Sequence, residues 1–286
     1  MIIQQLATSA ESFEQQFAQL LHWDMHTDSE LDQRVAAILG QVRQRGDDAV
    51  LELTNELDRR KLTAPADFVL SAETLQAAWH RVQPQHQDAL QLAAERIRRF
   101  HERQLESSWS FQDDLGNRLG QRISPLETVG VYVPGGQAAY PSSVLMTLIP
   151  AKVAGVENIV VTVPTPAGEA SDMVLAALHL GGADQVFSIG GAQAIGALAY
   201  GTQSVPRVDK IVGPGGAYVA TAKKQVFGQV GIDMIAGPSE VLILADGSTP
   251  VDWAVMDLFS QAEHDPSAQS ILISDNKGYI EQVAAR

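Results

Sequence analysis

Apolar positions in the first third of the chain recur every three or four residues, which predicts amphipathic helices. Two capping-box patterns, Thr8 to Glu11 and Thr27 to Glu30, come just before such stretches. A long third helix is predicted from Pro84, because proline suits the first turn of a helix. The apolar stripes consist of Phe13, Phe17, Leu20 and Leu21 in the first helix, Leu31, Val35, Ile38, Leu39 and Val42 in the second, and Leu90, Ala93, Ile97 and Phe100 in the third.

The pattern changes between residues 106 and 128, beyond which short, continuously apolar runs alternate with segments long enough for helices. Within this transition, Asp113 to Asn117 predicts a hairpin turn. Strands that are apolar throughout are typical of a parallel sheet covered by helices on both faces. The alternation therefore predicts a doubly wound α/β fold. The predicted strands are 129–133, 158–163, 185–189, 210–213, 240–245 and 270–274, with helices at 168–180, 192–199 and 216–226 between them.

Composition and charge narrow the class of partner. The chain has 286 residues, with 20 Lys and Arg against 34 Asp and Glu, so its formal charge is −14. This balance disfavours nucleic acid and anionic membrane surfaces, which attract basic proteins. Cysteine is absent, which excludes disulfides, thiolate metal sites and a catalytic thiol. The N-terminus lacks the pattern of a secretory signal, and the longest apolar stretch, 144–156, is too short to span a bilayer. We therefore expect a cytoplasmic protein with no membrane or nucleic-acid partner.

Four glycine-rich turns follow predicted strands. In open α/β sheets, ligands bind beyond the carboxyl ends of the strands, and glycine there lets the backbone approach a ligand closely. None of the turns matches a dinucleotide fingerprint or a P-loop, so each could also be only a tight connection. The four turns are 134–136, 190–195, 213–216 and 236–240.

One pair of side chains has the spacing of metal ligands. Gln261 and His264 are three residues apart at the end of a predicted helix, where they share a face. They could supply an amide oxygen and an imidazole nitrogen to a cation. The same spacing suits a histidine that only complements the negative end of the helix, and two ligands do not complete a zinc site. Ser239 lies on a Gly-Pro-Ser turn, where its hydroxyl could equally bond its own backbone.

Taken together, five segments resemble the histidinol dehydrogenase family. The resemblance implies oxidation of L-histidinol to L-histidine through L-histidinaldehyde, with NAD and zinc, in a homodimer, as the last step of histidine biosynthesis. It assigns Tyr132, Gln193 and Gly216 to NAD. It assigns Ser239, Gln261 and His264 to the substrate, and Gln261 and His264 also to zinc. The segments are VGVYVPGG (129–136), PSSVLM (141–146), GGAQAIGALAYGTQSVPRVDKIVGPG (190–215), IDMIAGPSEVLILAD (232–246) and SQAEH (260–264).

The resemblance also implies two Rossmann-like doubly wound domains behind an N-terminal helical arm at 1–23. The first domain comprises 24–127 and 239–286 and is incomplete at its C-terminus, and the second is inserted at 128–238. Gly216 stands where the family has asparagine, which removes one amide contact to the cofactor. The family's Glu-His pair and remaining zinc ligands fall beyond residue 286, so no catalytic residue is assigned. We therefore expect the chain alone to be inactive. The alternative is a non-catalytic fragment: an NAD-binding module or a dimerisation partner.

Overall fold

The computed structural model describes residues 3–21, 29–135, 140–235, 240–263 and 268–286. The chain divides into two compact units, one of Met1–Thr27 with Ala236–Arg286 and the other of Asp28–Ile235. Helix α1 (Phe13–Leu21) belongs to the first of these. It begins after the predicted capping box at Thr8, while Thr27 of the second box lies outside the described residues.

The larger unit begins with helices, as the spacing of apolar residues predicts, and with a hairpin, as the turn residues 113–117 predict. Helix α2 has Glu30 and Asp32 in its first turn and Arg43 and Arg45 in its last, which complements the helix dipole. The hairpin strands pair antiparallel around the predicted turn. The elements are α2 (Ser29–Arg45), α3 (Asp47–Leu57), α4 (Ala72–Arg81), α5 (Pro84–Glu102), β1 (Trp109–Gln112) and β2 (Arg118–Gln121).

A five-stranded parallel sheet forms the centre of this unit, and the predicted α/β class is confirmed. Its spatial order is β5-β4-β3-β6-β7. Strand β7 has only two residues, too few to produce a periodic signal, and was not predicted. The elements are β3 (Thr128–Tyr132), α6 (Pro141–Val153), β4 (Asn158–Thr162), α7 (Asp172–Gly181), β5 (Gln185–Phe187), α8 (Gly191–Tyr200), β6 (Lys210–Val212), α9 (Ala217–Val226) and β7 (Gly231–Ile232).

Both faces of the sheet are buried, which explains the continuous apolar runs. Ile159 and Val161 pack into a core with α4 to α7, whereas Val160, between them, packs into a second core with α2, α3, α8 and α9. Helices from residues 29–102 thus pack with the sheet. The boundaries between the two compact units fall at 27/28 and 235/236, whereas the three-part division inferred from resemblance stays a prediction.

The smaller unit contains a two-stranded parallel sheet that matches two further predicted strands. Strands β8 (Glu240–Ala245) and β9 (Gln269–Ser274) are joined through α10 (Val251–Ala262), and α11 (Lys277–Ala284) follows. Ile243 and Leu272 pack towards a small core around Tyr279. Leu242 and Leu244, which alternate with the packed residues, are exposed. No helix in the described parts of the chain has the length and apolarity needed to cross a membrane.

Candidate cofactor site

The strand order of the larger unit reverses beside β3, and a ligand crevice is expected at such a reversal. The chain builds outward from β3 through β4 to β5 and then crosses to β6 on the other side of β3. In doubly wound sheets, dinucleotides bind beyond the carboxyl ends of the strands at this reversal of order. The segments that follow β3 and β6 here are Val133 to Gly135 and Gly213 to Gly216, two of the predicted glycine-rich turns.

Gly213 is held in a conformation that requires glycine. Its φ is +115°, and a Cβ there would strike the carbonyl oxygen of Tyr132. Its N–H donates to Asp233 Oδ2 at 2.8 Å, and its carbonyl accepts from Lys223 Nζ at 2.9 Å. Lys223, only 3% exposed, also forms an ion pair with Asp233. Burial opposes ionisation of Asp233, but hydrogen bonds from Lys223 and the Gly213 and Met234 backbones outweigh it and lower its pKa. The Lys223–Asp233 ion pair therefore holds both the backbone N–H and the backbone carbonyl of Gly213 in place.

Tyr132 joins the end of β3 to the start of α8. Its hydroxyl oxygen accepts a hydrogen bond from the Gly191 N–H at 3.2 Å. Burial raises the pKa of Tyr132 to about 12, with the Gly191 N–H opposing this shift and the Asp58 carboxylate contributing to it. The phenol is therefore protonated at neutral pH, so its O–H can still donate a hydrogen bond.

Gln193 lies in the first turn of α8 and is 1% exposed. Neither its Oε1 nor its Nε2 has a hydrogen-bond partner among the described residues. A Cβ built on Gly191 would come within 2.7 Å of the Gln193 Oε1, so the amide lies against that glycine. Leaving a buried amide unpaired is costly, and such groups in native proteins normally have a protein, water or ligand partner. The amide is therefore a signal that a polar molecule binds at this helix start.

Gly216 precedes the first residue of α9 and caps it with its backbone. A Cβ at this position would meet no described atom within 4 Å, so the turn has room for a larger side chain. Of the three residues predicted to contact NAD, Tyr132 is the last residue of β3, whereas Gln193 and Gly216 follow β5 and β6. The structure brings Tyr132 together with Gln193 through Gly191, and it places Gly216 at the neighbouring turn after β6.

The structure adds a charged pair that the sequence did not indicate. Arg60 Nη1 donates to Thr165 Oγ1 at 2.7 Å and to the carbonyl and hydroxyl oxygens of Ser188 at 3.0 and 2.8 Å. Asp58 Oδ2 is shielded from solvent and has no hydrogen-bond partner among the described residues. Burial raises the pKa of Asp58, and Arg60 partly opposes this. Asp58 and Arg60 follow the end of α3, where the sequence makes them look like ordinary exposed charged residues. Only their contacts with residues more than a hundred positions away reveal their part in the site.

The predicted zinc and substrate residues belong to the smaller unit. Gln261 is half-buried in the last turn of α10, while Ser239 and His264 lie outside the described residues. Within the described ranges, no three His, Cys, Asp or Glu side chains come close enough to hold a metal ion. The Gln261–His264 pair and the role of Ser239 therefore stay predictions.

Comparison with known proteins identifies relatives along nearly the whole chain. The family model described as Histidinol dehydrogenase matches residues 22–286. A histidinol dehydrogenase of Chromobacterium violaceum is 56% identical over 98% of this chain, and one of Pseudomonas aeruginosa is 54% identical over 99%. The chain spans 64% of the length of each. A crystal structure of histidinol dehydrogenase from Elizabethkingia anophelis superposes with a TM-score of 0.82 at 35% identity, over 89% of this chain and 59% of that one.

Proposed function

The chain belongs to the histidinol dehydrogenase family of oxidoreductases, and we propose that it supplies the NAD-binding part of an enzyme that oxidises L-histidinol to L-histidine through L-histidinaldehyde. The resemblance and the names of the relatives support the reaction. The reversal of strand order between β3 and β6 supports the cofactor.

The unpaired amide of Gln193 is the observation that carries the proposal. It is buried at the switch-point edge of a parallel sheet, beside a backbone N–H and a tyrosine hydroxyl. A dinucleotide offers the carboxamide, hydroxyl and phosphate groups that such donors and acceptors bind.

The residues present fit NAD, and each would have a simple task. Gln193 would pair its amide with a polar edge of the cofactor, and Tyr132 would donate its protonated hydroxyl. The turn ending at Gly216 would present backbone N–H groups at the start of α9, where anions are favoured. When bound, NAD would supply the hydride acceptor. Lys223 and Asp233 would hold the turn in the shape that exposes these groups.

The zinc assignment rests on the family resemblance. We propose that Gln261 and His264 contribute to a zinc site and, with Ser239, contact the substrate. The amide oxygen and imidazole nitrogen suit zinc chemically, but the described residues do not assemble a complete set of ligands. No reaction step is therefore derived through the metal. For the whole protein we also propose a cytoplasmic homodimer, by the same resemblance.

Calorimetric titration of the purified chain with NAD tests the proposal. We expect saturable binding to one site. Absence of a saturable signal at millimolar NAD would refute the cofactor assignment. NADH formation from L-histidinol with added Zn²⁺, measured by absorbance on the same sample, separates binding from turnover. Binding without turnover would match the inactivity expected from the sequence, whereas turnover would show that expectation to be wrong and the proposed reaction right.

A further inference from the structure

A side chain from outside the parallel sheet joins the loops that follow β4 and β5. Arg60 Nη1 donates a hydrogen bond to Thr165 Oγ1 at 2.7 Å, in the loop after β4. The same nitrogen donates to the carbonyl and hydroxyl oxygens of Ser188, just after β5, at 3.0 and 2.8 Å. We call Arg60, Thr165 and Ser188 the arginine clamp. One guanidinium nitrogen therefore holds the two loops together.

Both partners of Arg60 are themselves buried in the fold. Thr165 is 2% exposed and Ser188 is 1% exposed. The Ser188 hydroxyl donates to the carbonyl oxygen of Phe68 at 3.0 Å while it accepts from Arg60. Connected hydrogen bonds of this kind, in a site shielded from water, favour a single arrangement of the groups they join. The arginine clamp is therefore an internal network and differs from a surface ion pair, which would hold little in place.

The loops joined by the arginine clamp also surround the turn that begins α8. Pro164, next to Thr165 in the chain, packs so closely against Gly190 that a Cβ on Gly190 would come within 2.4 Å of it. Ser188 lies two residues before Gly190, so it holds the same turn along the backbone. The clamp thus restrains the start of α8 in two ways, through the packing of Pro164 and through the chain itself.

Gln193 is carried by this restrained turn. It lies in the first turn of α8, and its amide lies against Gly191, the residue after Gly190. The amide is the unpaired buried group to which the proposed function assigns a contact with NAD. A binding side chain is held in a productive position only when the residues that support it are themselves fixed. Arg60 can therefore affect the cofactor site without touching the cofactor.

We propose that Arg60 is a positioning residue for the NAD site, which acts through Gln193 by holding the loops after β4 and β5 together. Without the arginine clamp, the start of α8 is free to adopt other positions. The apparent NAD affinity then falls by the fraction of molecules that keep the binding arrangement. This inference rests on the proposed NAD-binding function and extends it to a residue outside the contact set.

Calorimetric NAD titration of wild type, Arg60→Met and Thr165→Val measures the effect. Methionine keeps an apolar stem but donates no hydrogen bond, so Arg60→Met should weaken NAD binding about fivefold to thirtyfold. Thr165→Val removes one acceptor at nearly constant shape and should weaken binding less, about twofold to fivefold. Arg59→Met is the matched control, because Arg59 is exposed and its replacement removes the same charge outside the clamp. This control should leave the NAD affinity unchanged.

A double-mutant cycle with Gln193→Met distinguishes positioning from a general structural role. If Arg60 acts through Gln193, Arg60→Met should change the NAD affinity by only about twofold or less once the Gln193 amide is absent. If Arg60→Met does not fold, Thr165→Val completes the same cycle.

Three results would overturn the inference. An equal loss of NAD affinity with and without the Gln193 amide would show that Arg60 acts independently of Gln193. Wild-type NAD affinity in Arg60→Met, even with a lower melting temperature, would show that the arginine clamp only stabilises the fold. Both results would leave the proposed function intact. No NAD binding by wild type would instead refute the proposed function, and the inference with it.

Discussion

Replacing Gln193 by methionine should stabilise the fold and weaken NAD binding. The side chain is only 1% exposed, and both of its polar atoms are unpaired among the described residues. Methionine has a similar length and no amide, so it can occupy the same space without an unsatisfied group. A structural glutamine would give the opposite result, because its removal would break hydrogen bonds.

The magnitude follows from the cost of an unpaired buried polar group. That cost is about 1–3 kcal/mol, so Gln193→Met should raise the free energy of unfolding by about that amount. For a chain of this size, each kcal/mol corresponds to roughly 2–4 °C in melting temperature. Loss of two hydrogen bonds to NAD, at about 0.5–1.5 kcal/mol each, should weaken binding about fivefold to 150-fold.

Urea denaturation and calorimetric NAD titration measure the two effects on one preparation. Gln203→Met is the matched control, because the Gln203 Oε1 accepts a hydrogen bond from the Asp47 N–H at 3.0 Å. This control should lose about 0.5–1.5 kcal/mol of stability and keep its NAD affinity. A destabilised Gln193→Met variant with wild-type NAD affinity would refute the reasoning, since Gln193 would then be a packing residue with partners of its own.

The remaining predictions concern the turn after β6. Lys223→Met should cost about 3 kcal/mol of unfolding free energy in urea, because it removes the only cation paired with the Asp233 carboxylate among the described residues. Since the folded pKa of Asp233 is lowered, its contribution should be present above about pH 4, the usual value for Asp, and lost as pH falls through the folded pKa. A pH series of urea melts should show a smaller loss in Lys223→Met, because only the backbone donors of Gly213 and Met234 then remain. Gly213→Ala should cost more than about 2 kcal/mol in the same assay, because its φ is left-handed and its Cβ would meet the Tyr132 carbonyl; a neutral effect would contradict the geometry. Gly216→Asn should bind NAD about twofold to tenfold more tightly in calorimetry, because it adds one hydrogen-bonding amide in open space, and no gain would show that position 216 does not face the cofactor.

The sequence was most informative where burial leaves a local pattern. Strands at 128–132 and 158–162 appear as unbroken apolar runs because helices cover both faces of their sheet. Helix α5 starts at Pro84 as predicted, because the first turn accepts a residue without an N–H. The resemblance to a family, confirmed by the comparisons, singled out Tyr132, Gln193 and Gly216. Neither periodicity nor spacing would have selected them.

Charged residues whose roles depend on distant partners were not detected. Lys223 is in the last turn of α9, where a basic side chain ordinarily just complements the helix dipole. Its burial against Gly213 and Asp233 exists only because β6, α9 and β7 fold together. Arg60 likewise reaches partners 105 and 128 residues away.

The amino-acid sequence by itself therefore determined the α/β class and most strand and helix positions, because these leave signals in the spacing of neighbouring residues. It determined the family through the resemblance of five segments to known members. Only the tertiary structure decided the order of the strands, the place where that order reverses between β3 and β6, and which buried polar atoms are left unpaired among the described residues. The physical reason is that strand order and desolvation are set by contacts between segments far apart in the chain, whereas periodicity records only what each segment buries locally.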